Sequence, residues 1–217
     1  IMIQKQTNHL MNEIKNSKVI DNKIIGCAAI ILVGLCYKDQ KNYLNYGLNI
    51  LKKISTLAFD NNGFPRSRNI KQLILYLKYY ILIREWFKEA QIEVPEHINE
   101  TIYHLGQSYA FTWQNSKFDI LMNGNNISNN FEFDQYLKRF NYTFKNENYE
   151  FGGYAILSNK KISIVVDVGA PPTTKFSSKY QSGALTFEIS SKGKKLISNC
   201  GNYEGKSSKL VELSKSS

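Results

Sequence analysis

Residues 151–172, FGGYAILSNKKISIVVDVGAPP, decide the fold. Gly153–Ser158 and Lys161–Gly169 are short runs rich in Ile, Val, Leu and Tyr, the side chains that suit a pleated surface. Ser158-Asn159-Lys160 sits between them as a hairpin link, and Pro171-Pro172 ends the sheet. The same grammar continues downstream. Ala184–Ser190 alternates apolar and polar, Ser191-Lys192-Gly193-Lys194 reads as a turn, and Leu196-Ile197 begins another run. Upstream, Tyr142–Phe144 and Phe118–Met122 read as short strands, Asn123–Asn126 as a turn, and Phe131–Phe140 as a short helix.

Before residue 113 the period changes to that of helices. Ile3–Ile14 is amphipathic, and Ile24–Tyr37 is apolar nearly all round, as a buried helix is. Tyr43–Phe59 places Leu44, Leu48, Leu51, Ile54 and Leu57 at helical spacing. Asn69 is placed to cap a helix whose Ile70, Leu73, Ile74, Leu77 and Ile81 share a face. Pro95-Glu96 opens another, running to about Trp113. The expectation is an α+β chain: a helical part over 1–113, then an antiparallel sheet part over 114–217, without βαβ alternation.

The 217 residues suit one large domain or two small ones. A net charge of +10 and pI near 9.3 favour an anionic partner. The lysines are scattered and no block of five like charges occurs, so the charge reads mainly as background. Cys27 and Cys36 lie nine residues apart in a helical segment, on opposite faces at about 100° per residue, and cannot share a disulfide or a metal. All three cysteines read as buried thiols. Ile24–Tyr37 is shorter than the roughly 20 residues a membrane helix needs. The chain opens on Ile1 inside a helical pattern and stops at Ser217 with no clear end to a fold, which reads as a piece of a longer protein.

Signs of chemistry are sparse. His97 and His104 are two helical turns apart with no companion ligand set, so no metal site and no cofactor is read. There is no P-loop, GxGxxG, G-x-S-x-G or HExxH. The 14 Tyr and 12 Phe fall mostly at core spacing, and no nucleic-acid module is present, so nucleic acid is not the expected partner. The loop DNNGFPRSRN, residues 60–69, carries Arg66 and Arg68, whose planar forks suit a carboxylate or sulfate; capping a helix or bridging an acidic neighbour is the other reading.

The order DNNGFPRSRN, then Gly153-Tyr154, Asp167, Gly169 and Pro171-Pro172, then Leu185-Thr186-Phe187-Glu188 through Asn199 and Gly201 resembles the heparinase II/III family, over about residues 20–205. That resemblance implies a part of an α/α toroid followed by a part of a β-sandwich. It implies a lyase that cleaves an acidic, uronate-containing polysaccharide by β-elimination, in a bacterial periplasmic or secreted setting. It implies that Arg66, Arg68, Lys179 and Gln181 face the substrate. The family's lyases often carry His-x-Asp before the Leu-Ser-Phe strand, and Glu and Tyr after the Asp-Gly loop. Here those positions are Gln181, Gly183, Pro65 and Ile70, none of which moves a proton. The catalytic residues are therefore open, with Tyr180 and Tyr154 as substitutes and a base in helices upstream. Two other readings stand beside the lyase: a catalytically degenerate relative that binds envelope polysaccharide, and a nucleic-acid binder drawn by charge.

Overall fold

The structure is a computed structural model, and it describes residues 2–37, 41–114, 118–123, 130–177, 180, 186–192, 194–201 and 207–216. The chain forms two compact units. One comprises residues 1–59 and 75–103; the other comprises residues 60–74 and 104–217.

The first unit is helical. Helix α1 spans Met2–Asn16, α2 Ile20–Cys36, α3 Lys41–Ala58 and α4 Ile70–Glu89, whose first turns belong to the other unit. Helix α2 buries Ile24, Cys27, Ala28, Ile30 and Ile31 on several sides, as its apolar composition demands. Gly34 makes its packing possible: a Cβ there would stand 2.5 Å from the backbone nitrogen of Leu44. Tyr76 and Tyr80 are almost fully buried and keep their hydroxyls satisfied, Tyr76 by donating to Asp21 at 2.7 Å and Tyr80 by pairing with Ser55. Burial shifts both phenols upward from the usual tyrosine range. The expected cap is present, with Asn69 Oδ1 accepting from the Lys71 amide at 2.9 Å.

The second unit holds the sheet. Strands β1 (Glu150–Phe151), β2 (Tyr154–Ser158), β3 (Ile162–Asp167), β4 (Phe187–Ser191) and β5 (Lys194–Ile197) form an antiparallel meander in sequence order. Both hairpins fall where the turn residues placed them. Register pairs Tyr154 with Asp167 and Val165 with Glu188, putting Tyr154, Ile156, Val165, Asp167 and Glu188 on one face, which is buried. The opposite face carries Ala155, Leu157, Ile162, Ile164, Val166, Phe187, Ile189 and Ile197, all partly or well exposed. The buried face thus holds two carboxylates, while the outer face is apolar.

Several expectations are corrected. Phe118–Met122 and Tyr142–Phe144 are not strands. The Leu121 amide donates to Glu188 Oε1 at 2.9 Å instead of to a ladder partner. Tyr142 donates its amide to Leu137 at the end of α6 (Asn130–Arg139), and the Phe144 ring fills the space that Gly106 leaves open. Helix α5 (Glu96–Tyr109) widens into a π-helical turn, Ala110–Gln114, in place of running on as α-helix. There the Asp134 carboxylate accepts from Tyr109 Oη at 2.7 Å and Trp113 Nε1 at 2.8 Å, and these contacts favour the wider turn. A helix over Ser208–Ser216, α7, had no signal in the sequence reading. Cys27 is buried, but Cys36 and Cys200 are exposed, at the end of α2 and beyond the last strand. Among the described residues no helix is long and apolar enough to cross a membrane.

Candidate functional site

The DNNGFPRSRN loop folds on its own hydrogen bonds. Asp60 Oδ1 accepts from the amides of Asn62 at 2.9 Å and Phe64 at 2.8 Å, turning the chain after α3. A second turn follows, closed by the Arg68 amide on the Pro65 carbonyl at 2.8 Å. Pro65 and Arg68 are buried at its ends, and Arg66 is exposed on its crest. Arg68 itself has φ +60, a left-handed backbone that a long side chain adopts only when its surroundings hold it there.

Those surroundings are a buried polar knot. Arg68 Nη1 meets Asp167 Oδ1 at 2.7 Å and donates to the Ala170 carbonyl at 3.3 Å. Arg68 Nη2 donates to the Gly153 carbonyl at 2.5 Å. The guanidinium lies in a slot lined by Gly153 and Gly169, where a Cβ on either glycine would come within 2.9 Å of it. The Tyr154 ring lies 4.7 Å from the guanidinium carbon, a cation–π distance. Tyr154 Oη donates to the Arg68 carbonyl at 2.7 Å and accepts from Asn123 Nδ2 at 2.6 Å. Asn123 Nδ2 also donates to Asp167 Oδ2 at 2.9 Å. Arg68, Asn123, Tyr154 and Asp167 are all buried. Burial is the first cause of the upward shift of the Tyr154 phenol, opposed by the Arg68 charge. Its hydroxyl has both a donor and an acceptor role filled, so Tyr154 is a structural tie here.

A second buried carboxylate organises the far strands. Glu188 is fully buried and receives Lys195 Nζ at 3.0 Å, the Leu121 amide at 2.9 Å and Asn199 Nδ2 at 3.3 Å. Glu188 of β4 and Asn199, two residues beyond β5, are thus joined.

The residues singled out by sequence fall as follows. Arg66 is exposed. Arg68 is buried, with its guanidinium turned onto Asp167 and backbone carbonyls. Tyr180 is half-buried, its amide bonds the Ser177 carbonyl at 2.9 Å, and it lies near enough to raise the Tyr154 phenol slightly. Lys179, Gln181 and Gly183 lie outside the described residues. His97 is half-buried and shifted down, by burial first and by the Lys52 charge second. His104 is exposed and packs against Gly63, and both belong to the unit that holds the sheet. Among the described residues no three metal-binding side chains gather. Asn123 and Asp167 were missed as site members. Asp167 had a signal, a lone carboxylate in an apolar strand run, which burial tolerates only with a partner. Asn123 had none, being one Asn among several in a turn.

The described residues thus combine helices with a five-stranded antiparallel sheet, and the loop between α3 and α4 is tied by Arg68 to the Asp167 end of β3. Residues 144–217 match the family model described as heparinase II/III-like, C-terminal, and so bear out the resemblance read from the sequence. No curated protein matches the chain. Three solved structures are similar in fold. "Heparinase III" has a TM-score of 0.77 at 14% identity, covering 98% of this chain and 40% of that one. The heparan sulfate lyase HepC from Pedobacter heparinus has a TM-score of 0.74 at 13% identity, covering 98% and 38%. The heparinase III BT4657 gene product has a TM-score of 0.77 at 15% identity, covering 98% and 37%. The chain therefore spans about two fifths of the length of the structures it resembles.

Proposed function

We propose that this chain is part of a heparinase II/III-like lyase that cleaves an acidic polysaccharide by β-elimination. The observation that carries the reading is the Arg68–Asp167–Tyr154 knot, because it joins in space two of the three sequence stretches on which the resemblance rests. In such a reaction a base takes the C5 proton of a uronate, cations or donors stabilise the charge that builds on its carboxylate, and an acid protonates the leaving oxygen at C4. Arg66, held outward on a turn whose ends are buried, supplies a cation for the carboxylate, with Lys179 and Gln181 as further contacts. Arg68 positions that turn from beneath. Of the two tyrosines, Tyr180 is the proton-moving candidate, since the Tyr154 hydroxyl is already engaged on both sides.

The helical part is read as a portion of an α/α toroid and the sheet as one layer of a β-sandwich, and the setting as periplasmic or secreted. The apolar outer face of the sheet supports the sandwich, since such a face is stable in water only when another layer covers it. A second reading is a relative that binds polysaccharide without cleaving it. Gln181, Gly183, Pro65 and Ile70 favour it, for they stand where the family's lyases often carry titratable groups. Incubating the full-length protein with a panel of uronate polysaccharides, and following the unsaturated product by ultraviolet absorbance, separates the two. Product that disappears in Arg66→Gln supports the lyase; binding with no product from any substrate supports the binder.

A further inference from the structure

The sequence places Lys160 and Lys161 in one turn and Lys192 and Lys194 in another, some thirty residues later, and neither pair is notable alone. The sheet brings them together. Strand β3 pairs with β4 so that Ile162 faces Ser191, and the Lys192 amide donates to the Lys161 carbonyl at 2.9 Å. Ser191 in turn pairs with Lys194 across the next hairpin. Adjacent strands lie about 4.8 Å apart. Four lysines, all exposed, therefore share one end of the sheet. The flanking segments, LSNKKISI over 157–164 and ISSKGKKLI over 189–197, contain no Asp or Glu. Lys195, the fifth lysine here, is already neutralised by Glu188 at 3.0 Å on the buried side. Nothing in either turn offsets the remaining four charges.

We propose that this lysine end of the sheet is a second anchoring surface for an anionic polysaccharide chain, separate from the Arg66 turn. The class of partner rests on the function proposed above; the cluster itself rests on the register alone. Four ammonium groups on two turns are point charges on flexible stems, suited to spaced sulfates or carboxylates along a polymer and not to bidentate recognition of one group. Neither turn carries an aromatic ring, so the stacking platform of a single-strand nucleic-acid site is missing. An anchoring site of this kind raises the local concentration of chain segments at the first site.

The test is retention of the whole chain on immobilised heparin and on immobilised polygalacturonate in a salt gradient. The variant Lys160→Gln/Lys161→Gln/Lys192→Gln/Lys194→Gln is compared with Lys5→Gln/Lys15→Gln/Lys18→Gln/Lys53→Gln, which removes the same charge from exposed helical-unit positions. A thermal melt confirms that each variant folds. The turn variant is expected to elute at distinctly lower salt and to bind heparin about tenfold more weakly at physiological ionic strength, while the control changes less than about twofold. Equal losses in the two variants would overturn the proposal, leaving net charge as the cause. Wild-type protein that neither column retains would remove the polysaccharide reading as well, whereas retention unchanged in the turn variant would remove only the anchoring surface. Binding to phosphatidylserine vesicles through the same lysines, without polysaccharide retention, would also overturn it.

Discussion

Replacing Asp167 with Asn keeps the side chain's size and removes its charge. The Arg68 guanidinium then stays buried against an amide, with its two carbonyl partners but no counter-charge. Removing one partner of a buried pair costs about 3–5 kcal/mol, most of it the uncompensated charge. For a chain of this length about 2–4 °C accompanies each kcal/mol, so the melting temperature should fall by roughly 6–20 °C. The two tryptophans make the effect local to read, since Trp86 lies in the helical unit and Trp113 in the unit that holds the knot. Urea unfolding of Asp167→Asn in a Trp86→Phe background follows Trp113 alone. Its midpoint should move well below that of the Trp86→Phe parent with little change in slope. The double variant Arg68→Met/Asp167→Leu should be less destabilised than Asp167→Asn, because no charge remains buried. A loss below about 1 kcal/mol for Asp167→Asn, or a double variant at least as destabilised as Asp167→Asn, would refute the account of the knot.

Alkaline stability should fall steeply above pH 10. Tyr76, Tyr80, Tyr109 and Tyr154 all have phenols raised above the ordinary 10.0. The unfolded chain loses those protons first, so stability is full below pH 10 and declines as pH rises, by about 1.4 kcal/mol per pH unit for each tyrosine; Tyr154→Phe should flatten the unfolding-versus-pH curve by one proton. Cys36 and Cys200 should react with a thiol reagent in the folded protein, while Cys27, buried and with its thiol pushed up to about 12, should react only after denaturant is added, as mass spectrometry of the labelled protein will show. Glu188→Ala should strand Lys195 and three donors, costing roughly 3–5 kcal/mol in the same urea titration. Gly34→Ala should destabilise by at least about 1 kcal/mol in thermal unfolding, since the backbone of α3 must shift to admit a methyl.

The sequence made the regular elements legible where one local signal sufficed. Periodicity found the helices, Asn69 marked a cap, and Ser158-Asn159-Lys160 marked a hairpin. The errors came where a distant partner decides. Nothing within FDILM reveals that the Leu121 amide serves Glu188, 67 residues away. Nothing in YTF reveals that Phe144 fills a gap left by Gly106. The site was half legible for the same reason. Arg68 and Asp167 are conspicuous separately, but their pairing depends on a left-handed backbone at Arg68 and on two glycines that vacate the slot. The lysine cluster was invisible because charge was read along the chain and the sheet folds it across.

The division of the chain has a consequence for cutting it. The path crosses between the two compact units at residues 59–60, 74–75 and 103–104, so no single scission yields both intact. A break at 113, where the composition changes, would leave the 60–74 segment on the helical fragment and its Asp167 counter-charge on the other. Were the two fragments pulled apart, Arg68 would be an unpaired cation without its slot, and Asp167 would keep Asn123 and the Gly169 amide but lose its counter-charge. Limited proteolysis at that point should give two pieces that remain associated under native conditions, held by a segment that belongs by chain to one and by contacts to the other.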